Sequence, residues 1–310
     1  MTSSIRLDGK IAAVTGAGNG LGRAYALELA SRGAHVVVSD LGGDTAGVGR
    51  DESVARAVVA EITAAGGTAA AHVGDVSSPE DMQAMVDLAI TEWGRLDILV
   101  NNAGGAGGDM LGPVKSWDRA IGVNLYGVVN TLRAAWPHFE KQRYGRVVNT
   151  SSSSMLGTPQ AGTYASAKAG VVGLTKVLAS TYPDSNIKVN VIMPIAGTRL
   201  FARMGDTPFA NWVLGNFKPE QVAAFIPVLC RDELSISGEV FTVGGGRAAR
   251  VLFETTDGWW EQSPTAESFL SHFDDVMAGR GARFASSGAA DLVRYATLFD
   301  DPGPFGPAPA

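Results

Sequence analysis

Short apolar runs alternate with longer amphipathic stretches over the first 250 residues of the chain. The runs Ile11–Thr15, His35–Asp40, Thr68–Val73, Ile98–Val100, Arg146–Thr150, Lys188–Ile192 and Val240–Val243 read as strands. Most are continuous rather than alternating, which is the pattern of strands covered on both faces of a parallel sheet. Between them, residues 20–32, 51–65, 79–93, 116–142 and 163–182 carry a helical period. Ser78-Pro79-Glu80-Asp81 opens one of these helices with an N-cap, a proline at the first helical position and an acid at the third. Strands separated by helices predict right-handed βαβ crossovers. The expected fold is α/β, a doubly wound parallel sheet of about seven strands with helices on both faces. No repeat of 20–50 residues is visible, which excludes a solenoid.

The pattern changes after Gly244-Gly245-Gly246. Trp259-Trp260 is followed by Ser263-Pro264, which opens a predicted helix with Phe269, Phe273, Val276 and Met277 on one face and Asp274 and Asp275 off it. A second short helix is expected over 289–299, before an end rich in Pro, Gly and Ala. Residues 1–253 are therefore read as one domain and 254–310 as a helical extension. The apolar face of that extension is expected to cover a substrate mouth or a neighbouring subunit.

Charge sharpens this division. The 310 residues carry a net charge of −6, and residues 254–310 hold nine acidic and three basic side chains, so the rest of the chain is balanced. This argues against nucleic-acid or anionic-membrane partners. One cysteine, Cys230, permits no internal disulfide and suits a reducing compartment, so a cytoplasmic protein is expected. His35, His72, His138 and His272 are scattered without ligand spacing, and no metal is expected. Met1–Asp8 lacks the apolar core of a signal peptide, and no run of about 18 apolar residues is present to span a membrane.

Glycine is abundant at 39 residues, and its clusters point to chemistry. The first strand runs into Thr15-Gly16-Ala17-Gly18-Asn19-Gly20-Leu21-Gly22, and a helix follows at once. Gly16 suits a tight turn, Gly20 admits a pyrophosphate to the backbone, and Gly22 lets helix pack on strand. Phosphates would sit at the helix N-terminus, beside Asn19 and Leu21. Asp40 ends the second strand 18 residues after Gly22, where a carboxylate accepts ribose hydroxyls and repels a 2′-phosphate. No Lys or Arg stands at Asn19, Ser39 or Leu41, so NAD is favoured over NADP. The alternative for Asp40 is a turn residue before Gly42-Gly43. Asp75-Val76, after the third strand, is placed to hold the adenine edge.

Tyr164 and Lys168 lie four apart in a helical stretch and share a face. A free phenol titrates near ~10, and a neighbouring ammonium and an oxidised nicotinamide both favour its ionised form. Ser151 stands 13 residues earlier, at the carboxyl end of a strand, where it can hydrogen-bond the reacting oxygen. Ser152, Ser153 and Ser154 crowd the same turn, so the choice of Ser151 rests on spacing alone.

Thr15–Gly22, Asn101-Asn102-Ala103-Gly104, Asn124 within Val-Asn-Leu-Tyr-Gly, Ser151 and Tyr164…Lys168 resemble the signature set of the short-chain dehydrogenase/reductase family, in that family's order and over about residues 7–250. The resemblance implies a Rossmann-type fold and a homo-oligomer, a tetramer or dimer, built on the helices over 116–142 and 163–182. It implies that Tyr164 is the acid/base, that Ser151 orients the substrate, and that Lys168 holds the nicotinamide ribose and tunes Tyr164. Asn124 would anchor a proton-relay water, and Asn102, Ala103 and Gly104 would line the cofactor.

Four segments look like one branch, the (3R)-hydroxyacyl-CoA dehydrogenase part of multifunctional enzyme type 2 and its free-standing bacterial relatives. They are Gly20–Ala26, Asp40–Asp44 with Gly47-Val48-Gly49, Lys141–Arg146, and Pro194-Ile195-Ala196-Gly197-Thr198-Arg199. This likeness implies that Pro194, Ile195 and Thr198 touch the nicotinamide carboxamide. The insertion over 41–53 reads equally as a surface loop. The stretch Gly105–Gly112 departs from that branch, which has a longer and more charged segment there, and no clustered Arg/Lys patch for CoA phosphates stands out. Phe201, Met204, Phe209, Trp212 and Phe217 suit either a bulky apolar substrate or a core-packed helix.

The expected function is NAD-dependent oxidation of a secondary alcohol, preferably a 3-hydroxyacyl-CoA, bulky or steroid-derived. A free steroid, terpene or cyclic alcohol is the alternative substrate. Two other classes fit the sequence less well. A non-catalytic cofactor sensor would be expected to lose Tyr164 or Lys168, and a methyltransferase would not need the Ser-Tyr-Lys set.

Overall fold

The computed structural model describes residues 4–44, 48–105, 107–108, 110–159, 161–202 and 205–284. Its contacts divide the chain into two compact units, Met1–Arg250 and Val251–Ala310.

In the first unit, β1 (Ile11–Thr15), β2 (His35–Asp40), β3 (Thr68–Val73), β4 (Ile98–Asn101), β5 (Gly145–Thr150), β6 (Ile187–Pro194) and β7 (Val240–Gly244) pair in parallel. An eighth strand, β8 (Arg247–Val251), completes the sheet in the order β3-β2-β1-β4-β5-β6-β7-β8. The apolar pattern missed β8 because its residues, Arg-Ala-Ala-Arg-Val, are largely exposed. What makes it is the two-residue turn Gly245-Gly246, with φ of +58° and +77°. Only glycine takes both values readily, and they match the twist of a tight hairpin.

Helices α1 (Gly20–Ser31), α2 (Glu52–Ala64), α3 (Pro79–Trp93), α4 (Val114–Ile121), α5 (Gly127–Gln142) and α6 (Gly162–Thr181) fill the crossovers. The core lies on both sheet faces because successive strand residues point in opposite directions. Val14 and Val36 join Leu29, Ile62 and Ile192 on one face. Their neighbours Ala13 and Val37 join Met82, Met85, Leu99 and Phe139 on the other. Each such large side chain contributes ~1.5–3 kcal/mol on full burial, before chain entropy is set against it.

The helix expected over 116–142 is interrupted. Residues 122–126 form a π-helical segment between α4 and α5. Here the Asn124 side chain donates to the Ala120 carbonyl at 3.0 Å and takes a place in the helical ladder. Four short helices, α7 (Arg199–Ala202), α8 (Pro208–Asn216), α9 (Pro219–Ala223) and α10 (Ile226–Cys230), follow β6.

In the second unit, β9 (Glu254–Thr255) pairs antiparallel with β10 (Arg283–Phe284). The single helix expected from Ser263 is instead two, α11 (Ala266–Ser271) and α12 (Phe273–Met277). Thr265 is the cap, accepting from the Ser268 amide. His272 breaks the run, with its ring stacked on Trp259 at 4.3 Å. Phe269, Phe273 and Met277 are exposed on this unit. The helix expected over 289–299 lies outside the described residues.

Candidate active site

The strand order reverses direction between β1 and β4, and a crevice opens at the carboxyl ends of strands at such a switch point. Gly16, Asn102, Ser151 and Ile195 each follow the strand ends that meet there. Gly16 has φ +62°, and a Cβ on it would lie 2.9 Å from Ala103 Cα. A Cβ on Gly22 would sit 2.1 Å from the Gly16 carbonyl oxygen, so α1 can approach the turn only with glycine there. Asn19 is the N-cap of α1 in an extended conformation, yet its side chain makes no cap bond. The first-turn amides around Gly20 and Leu21 therefore remain for an anion.

Thr15, a residue that motif reading passed over, holds this floor together. Its hydroxyl accepts from the Asn102 amide at 3.1 Å and the Ala103 amide at 3.0 Å. Asn102 returns its side-chain amide to the carbonyls of Thr15 at 2.9 Å and Gly16 at 3.2 Å. The signal available was a hydroxyl at the last position of an apolar strand.

At the far end, the Asp40 carboxylate spans two backbone amides. One oxygen accepts from Gly18 and the other from Gly42, both at 2.7 Å. Leu41 follows, its carbonyl bound by the Asp51 amide at 3.1 Å. Asp75 turns one carboxylate oxygen into its own loop, accepting from the amide and hydroxyl of Ser77. Val76 is buried, and its carbonyl accepts from Asn130 at 3.0 Å. A glycine cradle, uncapped helix amides and an oriented carboxylate fit a dinucleotide laid across the strand ends.

The reacting end centres on α6. Lys168 is 2% exposed, and its Nζ donates to the Thr150 carbonyl at 2.8 Å while lying 5.7 Å from the centre of the Tyr164 ring. Burial lowers the Lys168 pKa to about 8. Burial raises that of Tyr164, and a hydrogen bond with Ser152 acts in the opposite direction. A Cβ on Gly104 would lie 2.8 Å from Asn124 Oδ1 and 3.4 Å from Lys168 Nζ, so Gly104 sits against both. The Asn124 side chain is itself buried and bridges the amide and carbonyl of Gly105 at 3.3 and 3.2 Å.

Of the serines at this turn, Ser151 follows the end of β5 as expected and is engaged within the fold. Its amide continues the pairing to β6 by donating to Ile192, and its hydroxyl donates to the Lys168 carbonyl at 2.8 Å. Ser151 is buried, and it is Ser152, one residue on, that reaches the Tyr164 phenol. Adjacent residues leaving a strand point to opposite sides, so a one-residue choice exchanges these roles. Counting from Tyr164 depended on the length of an intervening turn.

On the side of β6, Pro194 closes the strand and Ile195 donates to the Val243 carbonyl at 2.9 Å. The Thr198 methyl lies 3.4 Å from a Cβ position on Gly20, which brings this segment to the glycine turn. Phe201, Phe209, Trp212 and Phe217 form a ladder of ring contacts 4.9–6.3 Å apart. Phe209 is 50% and Trp212 53% exposed, so those two are not packed into a core. Met204 lies outside the described residues. Among the described residues, no cluster of His, Cys, Asp and Glu could hold a metal ion.

Residues 10–204 match the family model described as short chain dehydrogenase. The chain is 41% identical over 261 residues to the peroxisomal multifunctional enzyme type 2 of Mus musculus, covering 83% of this chain and 35% of that one. The crystal structure of a short chain dehydrogenase from Mycobacterium avium superposes with a TM-score of 0.75 at 32% identity, over 91% of this chain and 99% of that one. A 7α-hydroxysteroid dehydrogenase complexed with NADH and 7-oxo glycochenodeoxycholic acid gives a TM-score of 0.71 at 33% identity, over 79% and 98%. The chain spans about a third of the length of its multifunctional relatives. With the family's pattern running through more than half of the sequence and the fold matched along nearly all of it, this chain belongs to the short-chain dehydrogenase family and is an oxidoreductase acting on CH–OH groups.

Proposed function

We propose that the chain oxidises a secondary alcohol to a ketone with NAD, and that its preferred substrate is a 3-hydroxyacyl-CoA with a bulky or steroid-derived chain. The observation that carries the chemistry is the pairing of half-buried Tyr164 with buried Lys168, whose Nζ lies 5.7 Å from the centre of the phenol ring. Tyr164 takes the hydroxyl proton of the alcohol. Burial alone would keep the phenol protonated, so the ammonium of Lys168 is needed to favour phenolate, and its proton is retained below about pH 8. Ser152, bonded to the phenol, is the serine that steadies the oxygen as it becomes a carbonyl. Asn124 holds the Gly105 backbone beside Lys168 and is proposed to anchor the relay water. The oxidised nicotinamide, when bound, supplies the hydride acceptor. The preference for NAD rests on Asp40, whose oriented carboxylate suits two ribose hydroxyls and repels a phosphate.

The CoA thioester is supported by the four segments that resemble the acyl-CoA branch. A second substrate, a free steroid or cyclic alcohol, is favoured by the half-exposed Phe209 and Trp212 and by the bile-acid-bound neighbour. Assay of a panel of 3-hydroxyacyl-CoAs and free alcohols with NAD decides between them. Turnover of the thioesters with kcat/KM at least tenfold above the free alcohols is the expected result. The reverse order assigns the second reading.

We further propose a homo-oligomer, a tetramer or dimer, assembled on the helices over 116–142 and 163–182, with residues 254–310 as a separate acidic extension. We also propose a cytoplasmic location, on the single cysteine. No helix among the described residues is long and apolar enough to cross a membrane, and the multifunctional relatives are named as peroxisomal. A non-catalytic sensor is disfavoured by the retained Tyr164 and Lys168.

A further inference from the structure

The excursion between β2 and α2 returns a cation to the adenosine end of the crevice. Gly42, with φ +72°, turns the chain so closely that a Cβ there would lie 2.0 Å from the Asp51 carbonyl oxygen. The Asp51 amide donates back to Leu41 at 3.1 Å, and the loop is closed at its base. Arg50 is thereby set against the end of β3. One guanidinium nitrogen donates to the Val73 carbonyl at 2.6 Å, and another pairs with Asp81 Oδ2 at 3.3 Å.

Those two contacts meet the elements that frame the nucleoside position. Val73 is the register partner of Asp40, and the next amide, Gly74, donates to the Asp40 carbonyl at 3.2 Å. The oxygen of Asp81 that pairs with Arg50 also accepts from the Asp75 amide at 2.7 Å. Asp75 in turn closes its own loop on Ser77. Arg50 therefore links the lip after β2, which carries Asp40 and Leu41, to the lip after β3, which carries Asp75 and Val76.

We propose that Arg50 is a positioning residue that fixes the width of the adenine slot by stapling these two lips together. It rests on the dinucleotide reading above. Arg50 acts through the Val73 carbonyl and Asp81 and touches no reacting atom, so its effect falls on the adenosine half of the cofactor alone.

The test is calorimetric titration of the whole chain with AMP, ADP-ribose and nicotinamide mononucleotide. Arg50→Ala is expected to raise the dissociation constants of AMP and ADP-ribose about tenfold, the scale of one lost charge-assisted hydrogen bond. The mononucleotide constant should stay within about twofold, which also reports that the fold is intact. Arg50→Lys, which keeps the charge toward Asp81, should recover part of the loss. In a double-mutant cycle with Asp81→Asn, the two losses should be less than additive. Unchanged AMP affinity in Arg50→Ala, equal losses for both halves, or full additivity overturns the proposal. Failure of the unaltered chain to bind AMP, ADP-ribose or NAD overturns the dinucleotide reading as well.

Discussion

The ammonium of Lys168 is anchored on the backbone carbonyl of Thr150, 2.8 Å away, where β5 ends. Among the described residues no ion pair involves this lysine, and burial is what lowers its pKa to about 8. A depressed lysine pKa means that the charged form is costly in the folded chain. The cost is present in full below pH 8. It is relieved between pH 8 and the ordinary value of 10.5, where the unfolded chain still binds the proton and the folded chain does not.

Lys168→Met should therefore be more stable than the unaltered chain at pH 7, by about 1–3 kcal/mol once the lost bond to Thr150 is offset. The advantage should shrink as pH rises from 8 toward 10.5. Urea unfolding without cofactor at pH 7 and pH 10 measures it, and dehydrogenase activity should be lost in the same variant. A variant less stable than the unaltered chain at pH 7 contradicts the burial argument.

The two serines after β5 should differ in their effect on rate. Ser152→Ala is expected to lower kcat/KM about a hundredfold or more, because it removes the partner of the Tyr164 phenol, and to cost about 1 kcal/mol of stability through its lost cap on the Ser154 amide. Ser151→Ala should cost about 1 kcal/mol of stability through its lost bond to the Lys168 carbonyl, with a smaller effect on rate. Steady-state kinetics tells them apart, and the opposite ranking of rates returns the role to Ser151.

The proposed role of Asp40 is to set the cofactor preference through its charge, and on that proposal Asp40→Asn should weaken NAD by about tenfold and narrow the gap to NADP. The amide retains one oxygen for Gly18 or Gly42 and sets its NH2 against the other backbone amide, so one turn bond is lost together with the charge. Fluorescence titration with both dinucleotides gives the ratio. Tighter binding of NADP than NAD by the unaltered chain removes the role given to Asp40.

The sheet was legible because it is buried. Runs such as Ile11–Thr15 and Ile98–Val100 have no solvent face to break them, whereas exposed β8 left no apolar trace and depends on Gly245-Gly246. Tyr164, Lys168 and the glycines Gly16 and Gly22 were readable because helix spacing and steric need are local properties. The choice among Ser151 and its neighbours stayed open in the sequence because which of two adjacent residues faces the crevice depends on where β5 ends in space. The π segment at Asn124 depends on a side-chain bond to Ala120, and its periodicity is nearly that of an uninterrupted helix. Arg50 reaches Val73 and Asp81 only through the fold, 23 and 31 positions along the chain.

Hydride transfer in Tyr164→Phe tests the central claim most directly. The variant keeps the ring and loses only the hydroxyl, so NAD affinity should stay within a few-fold. Formation of NADH from a secondary alcohol, followed by absorbance under single-turnover conditions, should fall at least a hundredfold, the scale of a lost general base. A rate equal to that of the unaltered chain contradicts the account.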